Sequence, residues 1–329
     1  MPAEWEPHEA TWLTWPKDST TFPPDTLEEV EKTYLKMIEE LSRGERVDLL
    51  VDDQETQDTI STRLKSTKDV FFHQIRTADV WVRDYGPIFV KNKQLAATKW
   101  IFNAWGNKYD DLKEDNHSGM KIAALVTKKI FEPHIVLEGG SIDVNGLGTS
   151  LTTRQCLLNK NRNPQLDQME IQEALRDYLG ITNVIWLDSG VAGDDTDGHV
   201  DDIARFVNPN TILCMTEADA EDENYDALKT NVELLRHAKD QDGHELKVVE
   251  LQMPVRLDAD DGRLPASYAN FYIGNAAVLV PTFNSPNDDE ALETIRRYFP
   301  GRRVVGIECS SLVYGFGGIH CVTQQQPSV

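Results

Sequence analysis

The chain has 329 residues, 40% of them hydrophobic and 27% charged, and a formal net charge of −22 at pH 7. The length suffices for a sizeable core, and the acidic balance argues against nucleic acid or anionic membrane as a partner, since both polyanions need Lys/Arg patches. The same charge serves solubility and would concentrate a small cationic substrate. No run approaches the roughly 18 apolar residues of a membrane helix; the longest candidate, residues 275–283, is short and strand-like. The opening MPAEWEPHEATW has no apolar stretch of signal-peptide type. Four cysteines (Cys156, Cys214, Cys309, Cys321) are widely spaced without a CxxC, which disfavours a zinc ribbon or disulfide framework and fits a reducing cytoplasm.

In chain order, PPDTLEEVEKTYLKMIEELSRGE predicts a helix. Asp25 caps it with Glu28 three residues on, Leu27, Val30, Tyr34, Ile38 and Leu41 share a face, and Gly44 ends it. RVDLLVDD follows as a strand. DVWVRDYGPIFV reads as an alternating strand that ends at Arg83 and Asp84, before a Tyr-Gly-Pro turn. Further helices are expected at about 118–131, 168–179, 225–240 and 287–299, with short β-rich runs between them: HIVL, TSLTTRQCLL, NVIWL, IARFV, TILCM, KVVEL, YANFYI, AAVLVP and RVVGIE. The last three helix starts lie about 60 residues apart, a weak β/α repeat. Gly274 and Asn275 mark a hairpin turn, and NGLGTS sits between strands as another. Paired strands of this kind depart from the strict alternation of a doubly wound sheet. No GxGxxG or GxxxxGK[ST] follows a strand, so nucleotide binding has no positive support. No Pro/Ser linker divides the chain, which reads as one domain over residues 1–329.

Four polar stretches stand out. Asp84 stands before its turn and, taken alone, reads as well as an acid bonding turn amides. Glu138, in VLEGGSIDV, ends an apolar strand before two glycines that let the backbone turn sharply; a solvated turn acid would look the same. GDDTDGHVDDIARFV is the richest titratable cluster, with Asp194, Asp195, Asp197, Asp201 and Asp202 around His199. It lacks the Gly and Glu positions of an EF-hand, and one His is poor for zinc. In a strand, His199 and Asp201 would share a face. Cys321, in GFGGIHC, is the one cysteine with a glycine loop beside it; the other three lie in strand patterns and read as small buried hydrophobes.

Together, one Cys, one His and several carboxylates at strand ends suit guanidinium chemistry. A guanidinium is planar and stays protonated near neutral pH, and carboxylates hold it by charge-assisted hydrogen bonds. A thiolate attacks its central carbon, and a His supplies the proton with which ammonia leaves. A free thiol has a pKa near 8.5, so a cationic substrate or an imidazolium must help form the thiolate.

The chain resembles the agmatine deiminase family of the guanidine-modifying superfamily. MPAEWEPHEATWLTWP looks like that family's opening, and WVRDYGP, LEGGSIDVNGLGTSLTTRQCLLNKNRNP, GHVDD and GGIHCVTQQQP match its motifs in order over nearly the whole chain. The resemblance implies an α/β fold, a five-bladed α/β propeller with fivefold pseudo-symmetry and a central channel. It implies Cys321 as nucleophile, His199 as general acid/base, Asp84 and Asp201 as guanidinium-binding carboxylates, Glu138 pairing with and orienting His199, and Trp81 lining the channel. The implied reaction converts agmatine and water to N-carbamoylputrescine and ammonia through an amidino-cysteine intermediate. No metal or organic cofactor is expected, the location is cytoplasmic, and a homo-oligomer is compatible with the sequence. Many members read NDETNGHVDN where this chain has GDDTDGHVDD, so Asp195 replaces a Glu that could meet agmatine's distal ammonium. The alternatives are a deiminase for peptidyl-arginine or free arginine, in which Arg83, Arg154 or Arg205 could meet a carboxylate, and a non-catalytic propeller such as the ribosome-binding translation initiation factor 6.

Overall fold

A computed structural model describes residues 1–17, 21–260 and 262–329. Five sheets share one plan. A short antiparallel hairpin is followed by an amphipathic helix, and the chain then returns as a strand parallel to the hairpin's second strand. Ala204–Asn208 pairs antiparallel with Thr211–Thr216, the helix Tyr225–Arg236 crosses over, and Lys247–Gln252 returns parallel. Tyr272–Ile273, Ala277–Thr282, the helix Asp288–Arg296 and Arg303–Glu308 repeat this. So do Asp143–Val144, Thr149–Thr153, the helix Gln168–Leu179 and Asn183–Leu187. Ile88–Lys91, Leu95–Thr98, the helix Asp115–Val126 and Ile130–Phe131 form a fourth copy. Both chain ends build the fifth: Gln324–Pro327 lies antiparallel to His8–Thr14, the helix Pro24–Leu41 crosses over, and Arg46–Val51 and Val70–Gln74 add parallel strands. The α/β class expected from the sequence is the observed one.

The inner strands are buried along most of their length, as in Ala277–Thr282, where only Thr282 is partly exposed. Such strands read as continuous apolar runs because both faces are covered. The helix Pro24–Leu41 buries Val30, Tyr34, Met37, Ile38 and Leu41, but Pro23 precedes it and no side chain caps it; Asp25 sits in its first turn. The helix Gln168–Leu179 has a capping box of Asp167 and Glu170 and a left-handed Gly180 at its end. Several expected strands are interrupted. Val82–Tyr85 is a helical turn ahead of the strand Ile88–Lys91. HIVL makes only an isolated bridge, Ile101 to Val136. Cys156 lies in the turn Arg154–Leu157 because Thr153 caps it from its hydroxyl. His199 precedes, and Asp201 stands in, a turn over Val200–Asp202, since Asp197 and Gly198 take positive φ (65° and 90°) and break the strand.

One residue near the N-terminus ties these units together. Glu4 is buried, and its carboxylate accepts from Arg205 Nη2 (2.9 Å), Arg83 Nη2 (3.2 Å) and the backbone N–H of Ile273 (2.9 Å). His320 Nε2 stands 2.9 Å from the same group. Burial opposes its charge, but Arg205, His320 and Arg83 hold the Glu4 pKa well below its ordinary 4.5. Its stabilisation is therefore fully present above the unfolded carboxyl value and is lost as pH falls through the depressed folded value. Glu4→Gln leaves two buried guanidinium groups short of an anion, which costs about 3–5 kcal/mol. Urea unfolding across the acid range should show that loss near neutrality and a shallower fall below pH ~4.5 than the parent chain. An unchanged slope would contradict the assignment.

Candidate active site

The five sheets present one functional position each, in the loop that enters the first hairpin strand. Asp84 precedes Ile88, Glu138 precedes Asp143, Asp201 precedes Ala204, Asn270 precedes Tyr272 and Cys321 precedes Gln324. The turn Val82–Tyr85 packs on Gly139–Ser141, which packs on Val200–Asp202. All five side chains are buried.

His199 faces two carboxylates with one nitrogen, Nδ1 lying 3.9 Å from Asp84 Oδ1 and 4.0 Å from Asp201 Oδ1. Neither ring nitrogen, nor Asp201 Oδ1, has a hydrogen-bond partner among the described residues. Burial works against the imidazolium, yet Asp84, Cys156 and Asp201 hold the His199 pKa well above 6.5. Asp84 Oδ1 accepts from Gly140 N (2.9 Å) and Oδ2 from Trp105 Nε1 (3.0 Å); burial, with Asp201 and Glu138 nearby, still raises its pKa. Asp201 Oδ2 faces His320 Nδ1 at 2.6 Å. Burial would raise Asp201, but His320, His199 and Arg205 lower it. Both His320 nitrogens are thus engaged, by Asp201 and Glu4, whereas both His199 nitrogens are open among the described residues.

Gly140 explains the paired glycines differently from a sharp turn. A Cβ there would lie 2.6 Å from His199 Nδ1 and 3.0 Å from Asp84 Oδ1 and from Asp201 Oδ2. The glycine is the space in which the three groups meet. In GFGGIHC, a Cβ on Gly317 would run into the Trp81 ring, and one on Gly318 would sit 2.5 Å from Asn270 Oδ1.

The Cys321 sulfur lines a cavity of about 220 Å³ with Trp81, Asp84, Trp105, Asp79 and Asp195. Phe22, Trp81, Trp105 and Tyr109 form a chain of ring contacts with centroids 6.0–6.3 Å apart along it. Trp105 reaches Asp84 from a left-handed turn, Ala104, Trp105, Gly106 and Asn107 all having positive φ. Burial first, then Asp201, Asp202 and Asp84, raises the Cys321 pKa well above 9.

Two of the residues singled out in the sequence have further partners in the structure. Glu138 does not hydrogen-bond His199. Its Oε1 accepts from Arg162 Nε (2.7 Å), because that buried guanidinium needs an anion, and Oε2 is left without a partner. A carboxylate oxygen of Glu138, the Cys156 sulfur and a His199 nitrogen lie within 4.8 Å of one another, so Glu138 stands beside the ring without a hydrogen bond to it. Asp195 is not a bare acid. It stands at the mouth, accepts from the Tyr109 hydroxyl, and pairs with Lys108 Nζ at 3.3 Å.

Sequence reading missed Glu4, Trp105, Arg162, Asn270 and His320. Glu4 and His320 are separated by 316 residues, and only the shared position before each first strand singles out Asn270. Two buried triads have metal-ligand spacing, Glu138/Cys156/His199 and Asp201/Asp202/Cys321. The same donors form a slot for a planar cation, with two carboxylates near one imidazole nitrogen and a sulfur within 3.8 Å of Asp201. Such a slot can hold a guanidinium, present a nucleophile to its carbon and move a proton to its nitrogen.

Trp105→Phe keeps the ring and removes the donor to Asp84 Oδ2. It should cost about 1–3 kcal/mol in unfolding free energy. In a double-mutant cycle with Asp84→Asn the cost should shrink; equal costs in both backgrounds would show that the bond contributes nothing.

A family model described as Porphyromonas-type peptidyl-arginine deiminase matches residues 1–327. An agmatine deiminase of Medicago truncatula is 36% identical over 368 residues, covering 100% of this chain and 96% of the relative. The structure of Enterococcus faecalis agmatine deiminase superposes with a TM-score of 0.93 at 33% identity, covering 99% of this chain and 95% of that one. A C. jejuni agmatine deiminase, solved as a Cys-to-Ser variant with substrate bound, gives 0.89 at 34%, covering 100% and 96%.

Proposed function

The chain belongs to the Porphyromonas-type peptidyl-arginine deiminase family, and we propose that it hydrolyses agmatine to N-carbamoylputrescine and ammonia through an amidino intermediate on Cys321. Asp84 and Asp201 bind the guanidinium and keep it protonated. Its positive charge, entering beside Cys321, offsets the three carboxylates that raise the thiol and draws out the thiolate. The sulfur attacks the guanidinium carbon. His199 gives its proton to a departing nitrogen, which leaves as ammonia with the carbon–nitrogen bond pair. Water, deprotonated by His199, then attacks the amidino carbon. The sulfur leaves with the carbon–sulfur pair, and the product is a urea. Glu138, anchored by Arg162, supports the charged form of His199 from behind. In this reading the whole chain is one catalytic unit, the five repeated sheets close as a five-bladed propeller around the site, and the enzyme works in the cytoplasm, alone or as a homo-oligomer, on a small cationic guanidine.

The observation that carries the substrate is the wall of the cavity. It holds Asp79, Asp84, Asp111 and Asp195 among aromatic rings, and no Lys or Arg among the described residues. A substrate with a cation at each end and methylenes between suits that wall, whereas an arginine carboxylate would face acids. Asp195 at the mouth takes the distal ammonium as a further donor beside Tyr109. Lys108, on the outer side of Asp195, is the one feature that favours a carboxylate-bearing guanidine.

Ammonia release should favour agmatine over free arginine and a peptidyl arginine by roughly a hundredfold or more in kcat/KM, because a buried carboxylate facing acids is unpaired. Turnover of arginine without agmatine would overturn the substrate. The dependence on pH follows from the two raised pKa values. The thiolate fraction grows with pH, and the imidazolium survives up to the raised His199 value. Their product therefore peaks on the alkaline side of neutrality. A profile of kcat/KM across about pH 6–10 should show this optimum; one falling steadily above pH ~6.5 would contradict the raised imidazole.

A further inference from the structure

We infer that Asn270 is a catalytic residue: its carboxamide is a built donor to the sulfur of Cys321 and sets how readily that sulfur exists as a thiolate. The inference rests on Cys321 being the nucleophile. Asn270 Nδ2 lies 3.1 Å from Cys321 Sγ and 2.9 Å from Asp202 Oδ1. Its Oδ1 accepts from the backbone N–H of His320 at 2.8 Å and, at 3.4 Å, from that of Cys321. Backbone N–H groups can only donate, so they fix which end of the amide is oxygen. The nitrogen, with two protons, must then face Asp202 and the sulfur. All four hydrogen-bonding positions of the carboxamide are used, and none can rotate without losing a partner.

The surroundings explain why such a donor matters. Asp84, Asp201 and Asp202 all oppose negative charge on the sulfur, and the Tyr34 phenol is near enough to interact with it. Against them stand the backbone N–H of Gly318 and the Asn270 amide. A neutral donor is the chemistry that fits. A lysine or arginine there would be neutralised by the three acids and would repel a guanidinium, while an amide stabilises the anion and leaves the substrate's cation unopposed. Asp202 is the orienting group. Burial, Asp201 and Asp194 raise its pKa well above the ordinary carboxyl value, and its Oδ1 holds one of the two amide protons of Asn270. Gly318 leaves the space the amide oxygen occupies, since a Cβ there would sit 2.5 Å from it. Asn270 also holds the position in its own sheet that Asp84, Glu138, Asp201 and Cys321 hold in theirs.

The test reads the thiolate directly, without substrate. The pH dependence of iodoacetamide alkylation at Cys321 is measured in the parent chain and in Asn270→Ala and Asn270→Asp, with Cys321→Ser subtracting the other cysteines. Loss of the donor should move the midpoint up by about one pH unit, a tenfold loss of thiolate at a given lower pH, and Asn270→Asp should move it further. A folded Asn270→Ala with an unchanged midpoint overturns the inference. Should neither variant fold, the parent chain decides. With asparagine side chains labelled with ¹⁵N, one amide pair should shift with the alkylation midpoint and stop titrating in Cys321→Ser. No amide tracking the cysteine overturns the inference equally. Failure of the nucleophile assignment looks different: Cys321→Ala would then keep turnover, whatever the midpoints do.

Discussion

Asp84 and Asp201 are two buried carboxylates that meet at one imidazole nitrogen, each about 4 Å from His199 Nδ1. Like charges this close, out of water, repel each other strongly, and much of the surrounding structure serves to hold them there. Trp105 and the Gly140 amide donate to Asp84, and His320 engages Asp201. Behind His320 stands Glu4, which two arginines anchor in turn. Four of the five sheets, and the segment ahead of the first strand, thus contribute to holding this pair and its imidazole. A slot strained in this way gains most when a planar cation enters it, because the guanidinium relieves repulsion that the protein alone cannot remove.

The repeated hairpin–helix–strand unit makes this affordable. Each copy builds its own covered sheet and leaves only the entry loop free to carry chemistry. Those loops need clearance more than turns. Gly140 lets the imidazole and two acids meet, Gly317 makes room for Trp81, and Gly318 makes room for Asn270. Glycine-rich sequence beside a polar residue here marks close approach between distant parts of the chain.

That distinction accounts for what could be read from the sequence. The α/β class and most helices were legible, because burial of one face leaves a periodic trace, as in Leu27, Val30, Tyr34, Ile38 and Leu41. The helix Gln54–Arg63 escaped because Ile60 is its one buried residue. The strand His8–Thr14 escaped because it is buried nearly throughout, which erases alternation. Cys321, His199, Asp84, Asp201 and Glu138 stood out through motifs carried by a family resemblance, and the structure gathers their side chains into one buried cluster. Their partners did not stand out. Arg162, His320, Glu4 and Asn270 act through contacts spanning 24 to 316 residues, and no local pattern encodes such a contact. The arginine that takes an oxygen of Glu138 lies within the same quoted motif, 24 residues on, yet nothing in the motif pairs the two side chains.

The central claim is that Cys321 carries the amidino group between two half-reactions. The most direct measurement is mass spectrometry of enzyme quenched in acid during turnover of agmatine, with the adduct located by proteolysis. The account predicts a mass gain equal to agmatine less ammonia, on the peptide containing Cys321 and absent in Cys321→Ser. Turnover with no covalent species at any quench time, or an adduct on Cys156, Cys214 or Cys309 instead, would contradict it.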